Sequence, residues 1–163
     1  KGGLTEMGKQ LVKKMVEMNV IIDLAHASSQ TIDEVLAFTD RPVIISHTGL
    51  KSMCDNQRNL SDEPLLEIGR RNGLVGVGLW ETAVCGTDAL ATAKSIRYVA
   101  NTIGVDKVAL GSDFDGAITT HFDVTGLPLI VEALKGEKFT DKEIELIMGG
   151  NVRDFLLRNL PAR

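Results

Sequence analysis

Apolar positions along this chain alternate between two spacings. Helical spacing comes first, at Met7, Leu11, Val12, Met15 and Val16, with Thr5 as N-cap and Asn19 as the break. A short continuous run follows, Val20-Ile21-Ile22-Asp23-Leu24-Ala25-His26, and predicts a strand from Val20 to Ala25. Ser28-Ser29 then opens a helix through Ile32, Val35, Leu36 and Phe38, closed ahead of Arg41-Pro42. Val43 to Ser46 predicts a second strand, running into His47.

The alternation continues to the end of the chain. Ser61-Asp62-Glu63-Pro64 starts a helix that stops at Asn72-Gly73. Leu74 to Leu79 predicts a third strand, loosened by Gly76 and Gly78, which leads into Trp80-Glu81. Asp88 to Ile103 is a long helix, and Gly104-Val105-Asp106 turns into a fourth strand, Val108 to Ser112. Three helices close the chain: Leu127 to Lys135, Asp141 to Met148, and Asn151 to Leu160 with Asn151 as its cap. Regular α-β alternation with helical crossovers predicts an α/β fold, a parallel sheet covered by helices. Four strands fit either an open sheet or half of an eight-stranded barrel. No solenoid-length repeat or linker divides residues 1–163, so a single domain is expected.

Composition narrows the partners. A net charge of -4 argues against nucleic acid, since phosphate binding needs a basic face. No apolar stretch approaches the roughly 20 residues needed to cross a bilayer, and no secretion signal is visible, so direct membrane contact is not expected and a cytoplasmic setting is the default. Cys54 and Cys85 are too few and too isolated for a zinc motif or disulfide framework; reduced thiols in a reducing compartment are expected. The chain opens on Lys1-Gly2-Gly3 rather than Met, which reads as a piece of something longer.

Candidate chemistry gathers at the carboxyl ends of the predicted strands, where parallel α/β folds build their sites. His26 and His47 end successive strands about 4.8 Å apart, so both imidazoles can reach one ion. Either histidine alone reads equally as a loop hydrogen-bonding group. Asp113, in Gly111-Ser112-Asp113-Phe114-Asp115-Gly116, can ligate a metal or move a proton, while Asp115 organises the loop. An Asx turn is the plainer alternative for both. Arg58, in the polar loop after His47, has the planar fork that suits a substrate carboxylate, although an exposed Arg is commonly a solvated charge. Trp80-Glu81 is placed at the same mouth, and His121 is expected to be structural or solvent-exposed.

Taken together, Gly3-Leu4-Thr5, Ile22-Asp23-Leu24-Ala25-His26, Ile45-Ser46-His47, Arg58-Asn59-Leu60, the Gly111–Gly116 segment and Gly149-Gly150-Asn151 closely resemble the renal (membrane) dipeptidase family of zinc peptidases, M19. The likeness runs from Gly3 to Leu160 in order and spacing. It implies strands five to eight, the C-terminal half, of a metal-dependent-hydrolase TIM barrel. It also implies zinc-dependent hydrolysis of dipeptides, with His26 and His47 as ligands of one zinc, Arg58 on the substrate carboxylate and Asp113 as acid–base group. The implied mechanism is attack on the scissile carbonyl by a metal-bridging hydroxide.

Members of the family carry a His-x-Asp pair, a bridging glutamate and a further histidine upstream, without counterpart in this chain. Of the family's two Zn2+ ions, at most one weak site is therefore expected here. Association with a missing N-terminal half, or a homo-oligomer imitating a barrel, is expected as well. Two alternatives stand beside this reading: another amidohydrolase-type metal-dependent hydrolase, and a catalytically inert half-barrel acting as an interaction or structural module.

Overall fold

Thr5 starts the fold: its side chain accepts the Gly8 N–H, and helix α1 runs over Glu6–Glu17. The computed structural model describes residues 2–120 and 122–161, so the expectation for His121 lies outside the described residues. Ser28 caps α2 (Ser29–Phe38) in the same way, by accepting the Thr31 N–H. Strand β1 is Ile44–Thr48, followed by α3 (Asp62–Arg70), β2 (Leu74–Gly78) and a short α4 (Glu81–Val84). Helix α5 (Ala89–Ile103) is capped by Asp88 and precedes β3 (Val108–Gly111). Helices α6 (Leu127–Gly136), α7 (Asp141–Glu145) and α8 (Asn151–Asn159) complete the chain.

The strands form a parallel sheet in the order β1-β2-β3, as α-β alternation predicts. The first predicted strand is reduced to a single parallel bridge, Asp23 to Ile44, with Leu24 N donating to the Ile44 carbonyl and Ile44 N to the Ile22 carbonyl. The apolar run is strand-like, but among the described residues it has a neighbour on one side only. Its pairing also ends early, for a reason that lies in the site. Strand β1 carries an irregularity: Ile44 and Ile45 face Leu74 and Val75, whereas Thr48 faces Val77, so the register shifts across Ser46 and His47.

Alternate strand residues divide between two faces. Ile45, Val75, Val77 and Val108 join the large core beneath α2, α3, α5 and α6, with Val35, Leu65, Ile68, Ile96, Ile130 and Leu134. The other face carries a small cluster, Leu74, Ala109 and Phe155 of α8, with Ile21 and Ile44 packed against it.

Two further expectations are corrected. Cys54 and Cys85 are joined in a disulfide with Cα atoms 5.1 Å apart, not reduced thiols. The fold brings the loop after β1 onto the turn after β2, and Cys85 adopts a left-handed conformation (φ 51°) there. That bond removes the support the cysteine count lent to a reducing compartment. Asn151 does not cap α8: it is buried, and its Nδ2 donates to the carbonyls of Val105 (2.6 Å) and Val108 (2.8 Å), tying α8 to the start of β3. The expected stop of α3 at Asn72-Gly73 holds, with Asn72 in the left-handed conformation (φ 57°). Gly73 is needed for space, since a methyl there would meet the Val43 carbonyl and the Ile68 side chain.

Candidate functional site

The segment after Leu24 turns back at His26, a non-glycine residue at φ 63°, and Asp113 after β3 sits at φ 56°. Such conformations cost free energy and concentrate at functional positions. Both turns aim side chains at His47. The Nε2 atoms of His26 and His47 are 2.9 Å apart, and their rings meet edge to face with centroids 4.9 Å apart. Asp113 Oδ1 is 3.6 Å from His47 Nε2, and the side chains of His47 and Asp113 are each 16% exposed, open enough for a ligand to reach.

Arg58 reaches the same place from the loop before α3. Its Nη2 donates to the His47 carbonyl at 2.9 Å and its Nη1 to Thr48 Oγ1 at 3.4 Å. Burial pulls the guanidinium below its ordinary value, opposed by the nearby carboxylates of Asp113 and Asp23. Trp80 is the common wall: its ring lies 6.1 Å from the His47 ring and 5.9 Å from the Arg58 guanidinium carbon. A cleft continues past it between Glu81, Thr82, Ile118 and Thr119. The four sequence-predicted residues His26, His47, Arg58 and Asp113 therefore converge, with Trp80 beside them. Asp115 turns back into its own loop, where its Oδ1 accepts the Ala117 N–H at 2.8 Å.

The loop bearing Arg58 is held by groups that the sequence did not single out. Asn59 is buried, and its Nδ2 donates to the carbonyls of Cys54 (2.7 Å), Ala83 (3.0 Å) and Thr82 (3.2 Å). Asn56 Nδ2 also donates to the Thr82 carbonyl (2.7 Å), while its Oδ1 accepts the backbone N–H of Arg58 (2.9 Å) and of Asn59 (3.2 Å). With the Cys54–Cys85 disulfide, these bonds join the Arg58 loop to the turn that carries Trp80. An Asn-x-x-Asn pair in a polar loop was the available signal; its partners 23 and 26 residues away were not.

Two imidazole nitrogens holding one zinc at about 2.0–2.1 Å in a tetrahedral arrangement lie about 3.3 Å apart. The 2.9 Å observed here needs only a small opening, so the pair fits one edge of such a site. Among the described residues no three His, Cys, Asp or Glu side chains gather as a metal set, and the pair alone is an incomplete one.

The sequence pattern of membrane dipeptidases, peptidase family M19, matches residues 1–156. Dipeptidase aclJ of Aspergillus oryzae is 34% identical over 93% of this chain, which covers 38% of that protein. Human Dipeptidase 3 is 29% identical over 92% of this chain, covering 32% of it. A metallopeptidase from Rhodobacter sphaeroides, solved with a phosphinate mimic of the dipeptide L-Ala-D-Ala, superposes with a TM-score of 0.91 at 26% identity. That superposition takes in 98% of this chain and 48% of the solved one, so the chain spans less than half the length of each of these relatives. The pattern match runs through every strand end that converges on His47, and the chain belongs to the membrane dipeptidase family, peptidase family M19.

Proposed function

We propose that this chain supplies one wall of a zinc-dependent dipeptidase centre. The observation that carries the reading is the convergence of His26, His47, Asp113 and Arg58 at one end of the sheet. His26 and His47 would hold the metal through Nε2. Zinc, when bound, supplies Lewis acidity toward the scissile carbonyl and toward water. Asp113, beside His47, is placed to take a proton and deliver it to the departing amine. Arg58 spends two of its five N–H donors on His47 and Thr48, which leaves three for a dipeptide carboxylate. Trp80 backs the guanidinium and keeps water from that side.

The remaining ligands and the closure of the sheet are proposed to come from outside the described residues. Among the described residues strand β3 ends the sheet, and the Ile22–Leu24 segment pairs on one side alone. Large apolar side chains lie exposed on α1 (Met7 79%, Leu11 60%) and α8 (Leu157 75%). Open edges beside apolar helix faces suit barrel completion by further strands or by a second copy.

Zinc uptake tests the reading. The chain should bind zinc in competition with a chromophoric chelator, and His26→Ala or His47→Ala should abolish binding. Once the barrel is completed by its missing strands, hydrolysis, followed as amine release, should favour L-Ala-D-Ala over its C-terminal amide, and Arg58→Ala should erase that preference by raising KM for the free acid. Absence of zinc uptake by the unmodified chain refutes the proposal.

A further inference from the structure

His47 is held from behind by two residues to which no role has been assigned. Leu24 N donates to the Ile44 carbonyl, and a regular parallel ladder would next send the Ser46 N–H to a backbone carbonyl of the neighbouring segment. It goes instead to Asp23 Oδ1, at 3.1 Å. The same oxygen accepts the Ala25 N–H at 2.9 Å. One carboxylate oxygen thus ends the pairing at this rung and frees the chain to turn at His26, φ 63°.

On the other side of the rung, the register shift falls across Ser46 and His47. A bulge of this kind re-aims a side chain. It needs room, and glycine on the neighbouring strands provides it: a methyl at Gly76 would overlap the Ser46 carbonyl, and one at Gly111 would crowd both that carbonyl and His47 Cα. The Ser46 hydroxyl then lies 2.9 Å from His47 Nδ1.

We infer that Asp23 and Ser46 are positioning residues for His47. Asp23 fixes where the ladder stops, and Ser46 accepts the Nδ1–H, leaving the Nε2 lone pair facing His26. A ligating imidazole needs its other nitrogen protonated and hydrogen-bonded, which sets both tautomer and ring direction. Without Ser46 the His47 ring keeps its place but loses the partner that holds the proton on Nδ1. Without Asp23 the Ser46 N–H has no partner, and the bulge loses its anchor. The inference rests on the zinc reading for its consequence, but the tautomer is a property of the metal-free chain.

Two measurements on the full chain test it. Long-range 15N–1H correlation spectra of the metal-free protein separate the two His47 tautomers, and chelator competition gives the zinc affinity. Ser46→Ala should shift His47 from predominantly Nδ1–H to a mixture and weaken zinc by about tenfold to a hundredfold. Ser46→Thr, which keeps the hydroxyl, should restore both. Asp23→Ala should weaken zinc by a similar factor with the helical circular dichroism retained, while Asp23→Asn, which keeps an acceptor oxygen, should not. An unchanged tautomer in Ser46→Ala, or zinc affinity within twofold of the parent, overturns the inference. If the parent takes up no zinc, the dipeptidase reading fails, and the tautomer shift alone still decides the role of Ser46.

Discussion

Removing the Asn59 amide should loosen the Arg58 loop by a calculable amount. Asn59 Nδ2 carries two hydrogens and faces three carbonyls, those of Cys54, Ala83 and Thr82, at 2.7, 3.0 and 3.2 Å, so one bond is shared. Each bond is worth about 0.5–1.5 kcal/mol net, and a carbonyl left buried without a donor costs about 1–3 kcal/mol. Asn56 also donates to Thr82 (2.7 Å) and, at 3.4 Å, to Cys54, so Ala83 is the carbonyl most exposed to the loss. Asn59→Ala should therefore cost about 2 kcal/mol. Asn59→Asp should cost more than Ala despite its matching shape. It has no N–H to offer and sets a carboxylate against three carbonyl oxygens in a buried place. The assay is urea unfolding with the disulfide intact, followed by fluorescence of Trp80, the single tryptophan, at the turn these bonds hold. If Asn59→Asp proves as stable as Asn59→Ala, or if Ala costs under about 0.5 kcal/mol, the amide is not what holds the loop.

Three further outcomes are expected. Reducing the Cys54–Cys85 bond opens a loop of 31 residues and should lower stability by about 3–4 kcal/mol, read as a lower urea midpoint with reductant present. Gly76→Ala drives a methyl into the Ser46 carbonyl and should cost about 1–3 kcal/mol and weaken zinc uptake as the bulge shifts; an unaltered affinity would dissociate the bulge from the site. Glu67 has its carboxyl pulled from 4.5 to about 2 by hydrogen bonds from Arg70 and Arg71. A depressed folded-state value stabilises above the unfolded one, so this contribution is present above pH 4.5 and lost as pH falls toward 2. Glu67→Gln should flatten the acid limb of stability against pH in that window, its difference from the parent shrinking as pH falls through 2.

The gathering of candidate residues at strand ends is legible in one dimension because chain order and strand parity are local properties. The caps Thr5, Ser28 and Asp88 each accept an N–H three residues on, and each predicted helix start holds. His26, His47 and Asp113 lie where alternating elements must end, which is why chain order alone brings three of the four candidate residues together. Arg58 needed the family resemblance, because a loop arginine has no periodic signal.

What escaped depends on contacts between distant parts of the chain. Asn151 looked like a cap because helix starts favour asparagine, but its carbonyl partners lie 43 and 46 residues away. Cys54 and Cys85 looked isolated because spacing does not reveal that two loops share one face of the mouth. The run Val20 to Ala25 has the composition of a full strand, yet pairing requires a neighbour, and Asp23 turns its own side chain against the ladder. By itself, the sequence determined the α-β alternation, the helix starts capped by Thr5, Ser28 and Asp88, and the end of the sheet where the candidate residues gather, since all three follow from short-range periodicity and capping. Tertiary structure alone decided how far the first strand pairs, the bulge that aims His47 and the clamp on Arg58, because each is a hydrogen bond or steric contact between residues far apart in the chain.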